Sequence, residues 1–519
     1  MIRGEHMRTI TTALRCGLVP LLWLCTVAGC GAEEAERTAV AVDALEWVAG
    51  EKLVAPEGTT EADFGVSVAI DGDTAIVGAH SDDQMAENAG AAQVFVRKDG
   101  AWIPEQRLVA SDAGLTDGFG YAVAISGDMA IVGAPNVDDP VENAGAAYVF
   151  LRKDGVWTEV HKLTSPTPEF IGSFGTSVAI AGNVALVGAS REDGAGVDSG
   201  AVHVFVRDTS AELWGEQKKL LPSDGAGSHF GASIAFASDT AIVGAPREKS
   251  ATGALAGAAY VFPRAEGAWL LESRLVMEGG EDQDRFGGSV AISGNTAIVG
   301  SSGDDDAGED AGAAYVFGRG ETGWSMQQKL VPGEAELHGA FGAATAIAGD
   351  ITLVGTYLSG PDVMGAGSAY LFVRENDAFV QAKRFLAEDG AANDFFGSAV
   401  ALSVDAALIG SPGDDNEKGE NAGSLYTYGA LNASGAGGAG GMGVGGFGGA
   451  GAGGNQANPD GSLVMGGCAC ATAGERGGGA SGAIAAVMAL GAWIVGRRRG
   501  GLNAKGRRGP SFDRAARRG

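Results

Sequence analysis

A Phe-Gly pair recurs seven times, and its spacing limits what this chain can fold into more than any other feature. The pairs are Phe64-Gly65, Phe119-Gly120, Phe174-Gly175, Phe230-Gly231, Phe286-Gly287, Phe341-Gly342 and Phe396-Gly397. Successive pairs lie 55, 55, 56, 56, 55 and 55 residues apart. Fourteen residues after each Phe comes a second glycine: Gly78, Gly133, Gly188, Gly244, Gly300, Gly355 and Gly410. A fixed period of this length marks a repeat architecture, in which each unit buries its apolar faces against its neighbours. Glycine makes up 88 of the 519 residues, which alone would suggest low complexity. The period shows that much of it is instead tied to the repeat.

Each copy parses into four short strands. The first is of the type FGVSVAI, alternating small and apolar residues. A tight turn such as Asp71-Gly72-Asp73 or Ser293-Gly294-Asn295 supplies the positive φ that a hairpin needs. The second strand is TAIVGA, and a longer loop leads to the third, AGAAYVFVR in consensus. A short turn, for example Lys98-Asp99-Gly100, leads to the fourth. That strand runs from an aromatic to an apolar residue six positions on: Trp102 to Leu108, Trp157 to Leu163, Trp214 to Leu220, Trp269 to Leu275, Trp324 to Leu330 and Phe379 to Phe385.

Seven first strands are thus followed by only six fourth strands. The missing one stands ahead of the first Phe-Gly, where Trp47 to Leu53 has the same spacing and the same Lys-Leu ending. Placing it in the last repeat, which stops at Tyr426-Thr427-Tyr428, closes a ring and leaves no open edge between blades. The expected fold is all-β: a seven-bladed β-propeller over residues 45–430, closed by an N-terminal strand that completes the last blade. The recurring Phe, Gly and Trp read as packing and turn geometry, with the Phe filling space between neighbouring blades. Ser67 and Ser177, at one repeat position, read the same way.

The Phe-Gly … Gly-Ala-Pro pattern resembles the FG-GAP repeat, found in the propeller of integrin α subunits and in many bacterial surface proteins. Phe119-Gly120 … Gly133-Ala134-Pro135 and Phe230-Gly231 … Gly244-Ala245-Pro246 match it best. Copies five to seven depart, reading Gly300-Ser301-Ser302, Gly355-Thr356-Tyr357 and Gly410-Ser411-Pro412. The resemblance implies a cell-surface binding or adhesion protein. Some members bind Ca²⁺ in a carboxylate-dense loop just before Gly-Ala-Pro. Here that segment is a three-residue turn with no room for six to eight oxygen ligands. No metal site is therefore assigned, and no cofactor is expected.

Acidic clusters occur instead between the second and third strands: Asp304-Asp305-Asp306 with Glu309-Asp310, Asp414-Asp415 with Glu417, Asp82-Asp83 and Asp138-Asp139. Their irregular spacing, and their absence from repeats four and six, points to a solvated acidic rim. Weak calcium binding is the alternative. Both long connections of each blade emerge on one face, which is therefore the expected partner-binding face.

The two ends carry processing signals. A basic start, with Met7 as a second possible initiator, precedes the apolar run Leu18 to Ala28, which reads as a secretory signal over residues 1–30. It ends in Val27-Ala28-Gly29-Cys30, which resembles a bacterial lipoprotein cleavage site and implies lipidation of Cys30. The alternative is ordinary cleavage nearby. After the propeller come a Gly-rich linker (residues 431–466), then Cys468 and Cys470, an apolar stretch from Ala480 to Val495, Arg497-Arg498-Arg499, and a basic tail (501–519). This order resembles myxobacterial C-terminal sorting signals and implies attachment through Cys468 and Cys470. A plain transmembrane anchor is the alternative. The expected location is the outer membrane or cell surface.

The net charge is −28 although Arg497 to Gly519 carries nine Lys/Arg and one Asp, so the remainder stands near −36. So acidic a body repels nucleic acid. All five Cys lie at or before Cys30 or at or after Cys468, so the repeat region has no disulfide framework and no thiol nucleophile. The histidines His6, His80, His161, His203, His229 and His338 fall at unrelated repeat positions and form no metal pair. No phosphate-cradling loop appears. No catalytic residue is assigned and no enzyme is expected. The function expected is binding of a protein or glycan of unknown identity, with membrane attachment through the termini. The alternative is a lectin-like glycan binder or a hydrolase with a site at the propeller axis.

Overall fold

The computed structural model describes residues 45–432, apart from Asp224, Ala335, Pro361 and Asp362. The signal segment with Cys30, the Gly-rich linker beyond 432, Cys468, Cys470, the apolar stretch and the basic tail lie outside the described residues. Among the described residues there is no helix, and hence none long and apolar enough to cross a membrane.

Seven antiparallel sheets form the blades, and in six of them the strands follow one another in sequence from inside to outside. The innermost strands are Ser67–Asp71, Ala122–Ser126, Phe174–Ala181, Ser233–Ala237, Phe286–Ser293, Ala344–Ala348 and Ala399–Leu402. Each packs against its counterpart in the next blade, and Ala399–Leu402 packs against Ser67–Asp71, so the ring is closed. The outermost strand of the last blade is Leu45–Leu53, paired antiparallel with Ser424–Asn432 from Leu45↔Asn432 to Leu53↔Leu425. The strand expected at Trp47 to Leu53 thus completes blade seven. Its partner runs two residues past the expected boundary at 430. In blade four the outer strand breaks into Ala268–Trp269 and Ser273–Leu275. Pro263 in the neighbouring strand has no N–H to offer the ladder there.

The glycine signature follows from how close the blades come. A Cβ on Gly78 would lie 1.9 Å from the carbonyl oxygen of Gly120 in the next blade. The corresponding contacts are Gly133 to Gly175, Gly188 to Gly231, Gly244 to Gly287, Gly300 to Gly342 and Gly355 to Gly397, all at 2.2 Å or less. The series ends with Gly410 against Gly65, again at 1.9 Å, across the closure of the ring. Both glycines of the motif are thus halves of one inter-blade contact. Four hydroxyls reinforce it: Ser67, Ser177, Ser233 and Ser289 donate to those same carbonyls of Gly120, Gly231, Gly287 and Gly342 at 2.6–2.9 Å.

The seven motif phenylalanines are fully buried. Their rings meet aromatic side chains on the third strand of their own blade, as Phe119 does with Tyr148 at 5.5 Å and Phe150 at 6.0 Å. The inter-blade link is made by their backbone: Phe119 N–H donates to Ala89 O of the preceding blade at 3.0 Å. The aromatic contacts of these Phe rings thus lie within their own blades, while the apolar clusters that hold them, such as that of Phe119 with Ala69, Ile76 and Ala92, extend into the neighbouring blade. At the perimeter, Gln106 accepts from Trp157 N–H and donates to its carbonyl (2.8 and 2.7 Å), and Gln328 does the same for Phe379. At the seam, the Lys383 ammonium donates to the carbonyl of Trp47.

Candidate functional site: the loop-bearing face

The two faces of the ring differ because the connections alternate in length. One face is clipped. Four of its turns between third and fourth strands have positive φ at both central residues, as at Asp99 and Gly100. Arginines brace it: Arg97 to Asp73 and Arg152 to Asp128, each at 2.8 Å, and Arg374 to Asp350 at 3.1 Å. Arg97 also reaches Asp405 of blade seven at 2.8 Å, across the ring closure.

The other face carries the long connections, and these hold one another. The loop leading into each blade donates backbone hydrogen bonds to the loop between strands two and three of the blade before. Examples are Thr116 N–H to Glu87 O (2.8 Å), Ile171 to Glu142 (3.0 Å), Gly227 to Val197 (2.7 Å) and His338 to Glu309 (2.7 Å). An exposed carboxylate folds each acidic loop by accepting a backbone N–H from its far side: Asp83 from Asn88, Asp138 from Asn143, Asp193 from Asp198, Asp305 from Asp310 and Asp415 from Asn421, at 2.6–2.8 Å.

The acidic clusters are therefore not simply a solvated rim. Their leading members Asp82, Asp304 and Asp414 are buried, as are Glu192 and Glu248 at the same repeat position. Each meets a cation from the fourth strand: Arg107 to Asp82 at 2.5 Å, Arg274 to Glu248 at 2.6 Å, Lys329 to Asp304 at 2.8 Å and Lys52 to Asp414 at 2.9 Å. Lys219 pairs with Glu192, which also bonds His203 at 2.7 Å. A tyrosine hydroxyl of the third strand donates to three of them: Tyr260 to Glu248, Tyr315 to Asp304 and Tyr426 to Asp414. Burial opposes ionisation of Glu192, but the bonds to His203 and Lys219 outweigh it and hold its carboxyl below the usual range. Burial likewise works against the Lys329 charge, while Asp304 and Asp306 hold the ammonium above its ordinary value. These carboxylates are committed to internal cations. Among the described residues no three His, Cys, Asp or Glu side chains are grouped as a metal site.

Blades two and six replace the leading acid by Val137 and Ser359. In blade two, Lys162 and Tyr148 turn to Asp112 instead, at 2.6 and 2.8 Å. In blade six, Arg384 turns to Glu336 at 2.7 Å, beside a shallow cavity of about 290 Å³ lined by Gly333, Glu334, Tyr370, Gln381 and Arg384. The sequence carries a repeated signal for this network. The residue before the closing apolar residue of the fourth strand is basic in all seven copies: Lys52, Arg107, Lys162, Lys219, Arg274, Lys329 and Arg384.

What the loops present to solvent is partly apolar. Leu115, Phe170, Val197, Leu337 and Met364 are each 65–76 % exposed, and all lie on these connections. Nearer the axis, side chains leave from the ends of the two innermost strands and from the residue before each motif Phe. His80 meets Tyr121 of the next blade edge-on at 5.7 Å and stands 3.8 Å from Asp63, whose other contact is the Ser81 hydroxyl at 2.7 Å. Burial and the nearby Arg247 and Arg191 push His229 down to about 4. Tyr357 meets Phe395 of the next blade at 6.0 Å and feels the charge of Arg285. These residues do not repeat from blade to blade, unlike the Ser, Ala and Val of the inner strands.

The sequence model for the FG-GAP repeat matches residues 47–95, 102–150, 157–205, 214–262, 269–317, 324–372 and 379–428, more than half of the chain. Each match opens on the outer strand of one blade and ends on the third strand of the next. No curated protein matches the chain.

Proposed function

The chain belongs to the FG-GAP repeat family, and on that premise we propose that it is a non-catalytic binding protein of the bacterial cell surface, recognising its partner through the loop-bearing face. The observation that carries this reading is the asymmetry of the ring. One face is sealed by tight turns and ion pairs; the other holds ordered loops with apolar tips. Rigid loops on a closed scaffold lower the ordering cost of recognition. Exposed apolar side chains rimmed by charge are the usual composition of an interaction surface.

Chain direction supports the orientation this role needs. Leu45 and Asn432 are paired at the start of one strand and the end of its neighbour, so both leave on the clipped face. Attachment through Cys30, or through Cys468 and Cys470, would then turn the loop face away from the envelope. The partner on this reading is a protein or glycan outside the cell.

The test is adhesion of cells displaying the full chain. The triple variant Leu115→Ser, Phe170→Ser, Leu337→Ser alters only exposed tips, and Lys98→Ser, Lys153→Ser on the clipped face is the control. At least a tenfold loss in the first, with none in the second, is expected. Equal adhesion of both variants and the parent would refute the assignment of the face.

A further inference from the structure

Twelve arginines lie among the described residues, and eight of them form ion pairs with carboxylates. The other four are Arg191, Arg247, Arg264 and Arg285. Arg264 sits on the clipped face at the end of a third strand. The remaining three share one place. Arg191 and Arg247 follow the second strands of blades three and four, and Arg285 immediately precedes the motif Phe286 of blade five. All three positions are at the loop-face ends of the two innermost strands of consecutive blades, around the axial mouth. Backbone bonds hold the frame: Arg247 N–H donates to Ser228 O at 3.2 Å, which fixes it beside His229.

In a chain of net charge −28, three arginines without a carboxylate partner among the described residues, two of them exposed, at neighbouring positions of consecutive blades, call for an explanation. Nearby acids do not supply it. Asp63, across the mouth, is engaged by Ser81 and His80. Asp310 faces His338 at 3.4 Å. Asp198, near His229, makes no ion pair with these arginines. Half-buried rings flank the cluster: Tyr121 beside Arg191 and Tyr357 beside Arg285.

We propose that the axial mouth of the loop face binds the oxyanion of an acidic glycan, a carboxylate or sulfate, with Arg191, Arg247 and Arg285 as its cationic ligands. This rests on the reading of the loop face as the recognition face. The guanidinium fork matches planar oxyanions with two parallel hydrogen bonds. His229, neutral above about pH 4, can add a donor without adding charge. The half-buried Tyr121 and Tyr357 rings add aromatic surface beside the charge, as the lining of small-molecule sites commonly does. A peptide is disfavoured because the loop backbones on this face are bonded to one another, leaving no free edge for strand addition.

The experiment is calorimetric titration of the full chain with a uronate tetrasaccharide, the same tetrasaccharide reduced to the neutral sugar, a glutamate hexapeptide and sodium sulfate. The variants are Arg191→Ala, Arg247→Ala, Arg285→Ala and the corresponding Lys substitutions. The expected result is binding of the uronate sugar alone at micromolar concentration. Each Ala variant should weaken it about tenfold, the loss of one charge-assisted pair, and Lys should restore part of the affinity. Equal binding of the neutral sugar, tighter binding of the peptide, sulfate as the only ligand, no binding at all, or Ala variants that bind like the parent would each overturn the proposal. The Leu115, Phe170, Leu337 variant is titrated alongside. If it keeps glycan affinity but loses adhesion, the apolar tips and the axial mouth act separately. If it keeps both, the reading of the loop tips fails while the axial site stands.

Discussion

Replacing Gly410 by Ala tests ring closure at a single atom. The added methyl would sit 1.9 Å from the Gly65 carbonyl oxygen, which lies in the first blade. Real contacts of this kind are longer by more than 1 Å, so blades seven and one must separate along their inner strands. The φ of Gly410 is not positive, so the backbone itself accepts Ala and the cost is purely steric. Overpacking of a rigid interior costs about 1–3 kcal/mol and more where backbone must move. Here backbone meets backbone, so about 3 kcal/mol or more is expected, a large share of a total stability of roughly 5–15 kcal/mol. Gly244→Ala makes the same clash with Gly287 inside the ring and should cost the same. Gly72→Ala is the reference: its methyl meets nothing within 4 Å, and φ of 58° makes the cost one of backbone alone, about 1–2 kcal/mol. Urea denaturation of the three variants reads the difference as midpoint shifts at constant slope. If Gly410→Ala costs no more than Gly72→Ala while Gly244→Ala costs much more, the ring is open at the seam. If neither exceeds the reference, the close-approach account of the motif glycines is wrong.

Two further outcomes follow from the loop-face charges. Asp304→Ala strands the Lys329 ammonium and the buried Tyr315 hydroxyl, and should cost about 3 kcal/mol, whereas Asp306→Ala, which removes an exposed partner of the same lysine, should cost under about 1 kcal/mol; equal costs in denaturation would show that burial does not govern the pair. Burial pushes Asp284 up to about 6, offset in part by the N–H of Glu281 and reinforced by Asp304 and Asp305. The folded state then holds the proton more tightly than the unfolded chain, so this group's contribution to stability falls as pH rises from about 4 to 6 and is level above that. Asp284→Asn should therefore gain stability over the parent across this window; a difference independent of pH would remove Asp284 as the cause.

The architecture was legible in the sequence because its determinants are local and repeated. The Phe-Gly period, the Gly-bearing turns and the stray strand at Trp47 each mark an element by short-range chemistry, and seven copies make the pattern unmistakable. The site was legible only in outline. Alternating loop lengths marked the face, but the fate of the acids there depended on partners far along the chain: Asp414 meets Lys52, 362 residues away. The axial cluster was harder still. Arg191, Arg247 and Arg285 occupy two different repeat positions in three blades, and only the closed ring brings those positions to one rim. A feature that departs from a period is hidden by the same regularity that reveals the fold.

The side-by-side exit of the two chain ends has a mechanical meaning. Leu45 and Asn432 are register partners on adjacent antiparallel strands. Tension applied between the two ends would load their hydrogen bonds one after another, in unzipping geometry, beginning at that pair and working toward Leu53 and Leu425. The other six blades would lie outside the line of force. A tether at one end only would instead transmit a pull on the loop face through the whole ring, with Leu45–Leu53 or its partner strand held in shear. The closure strand would thus be the mechanical fuse when both ends are held, and a strained rivet when one is.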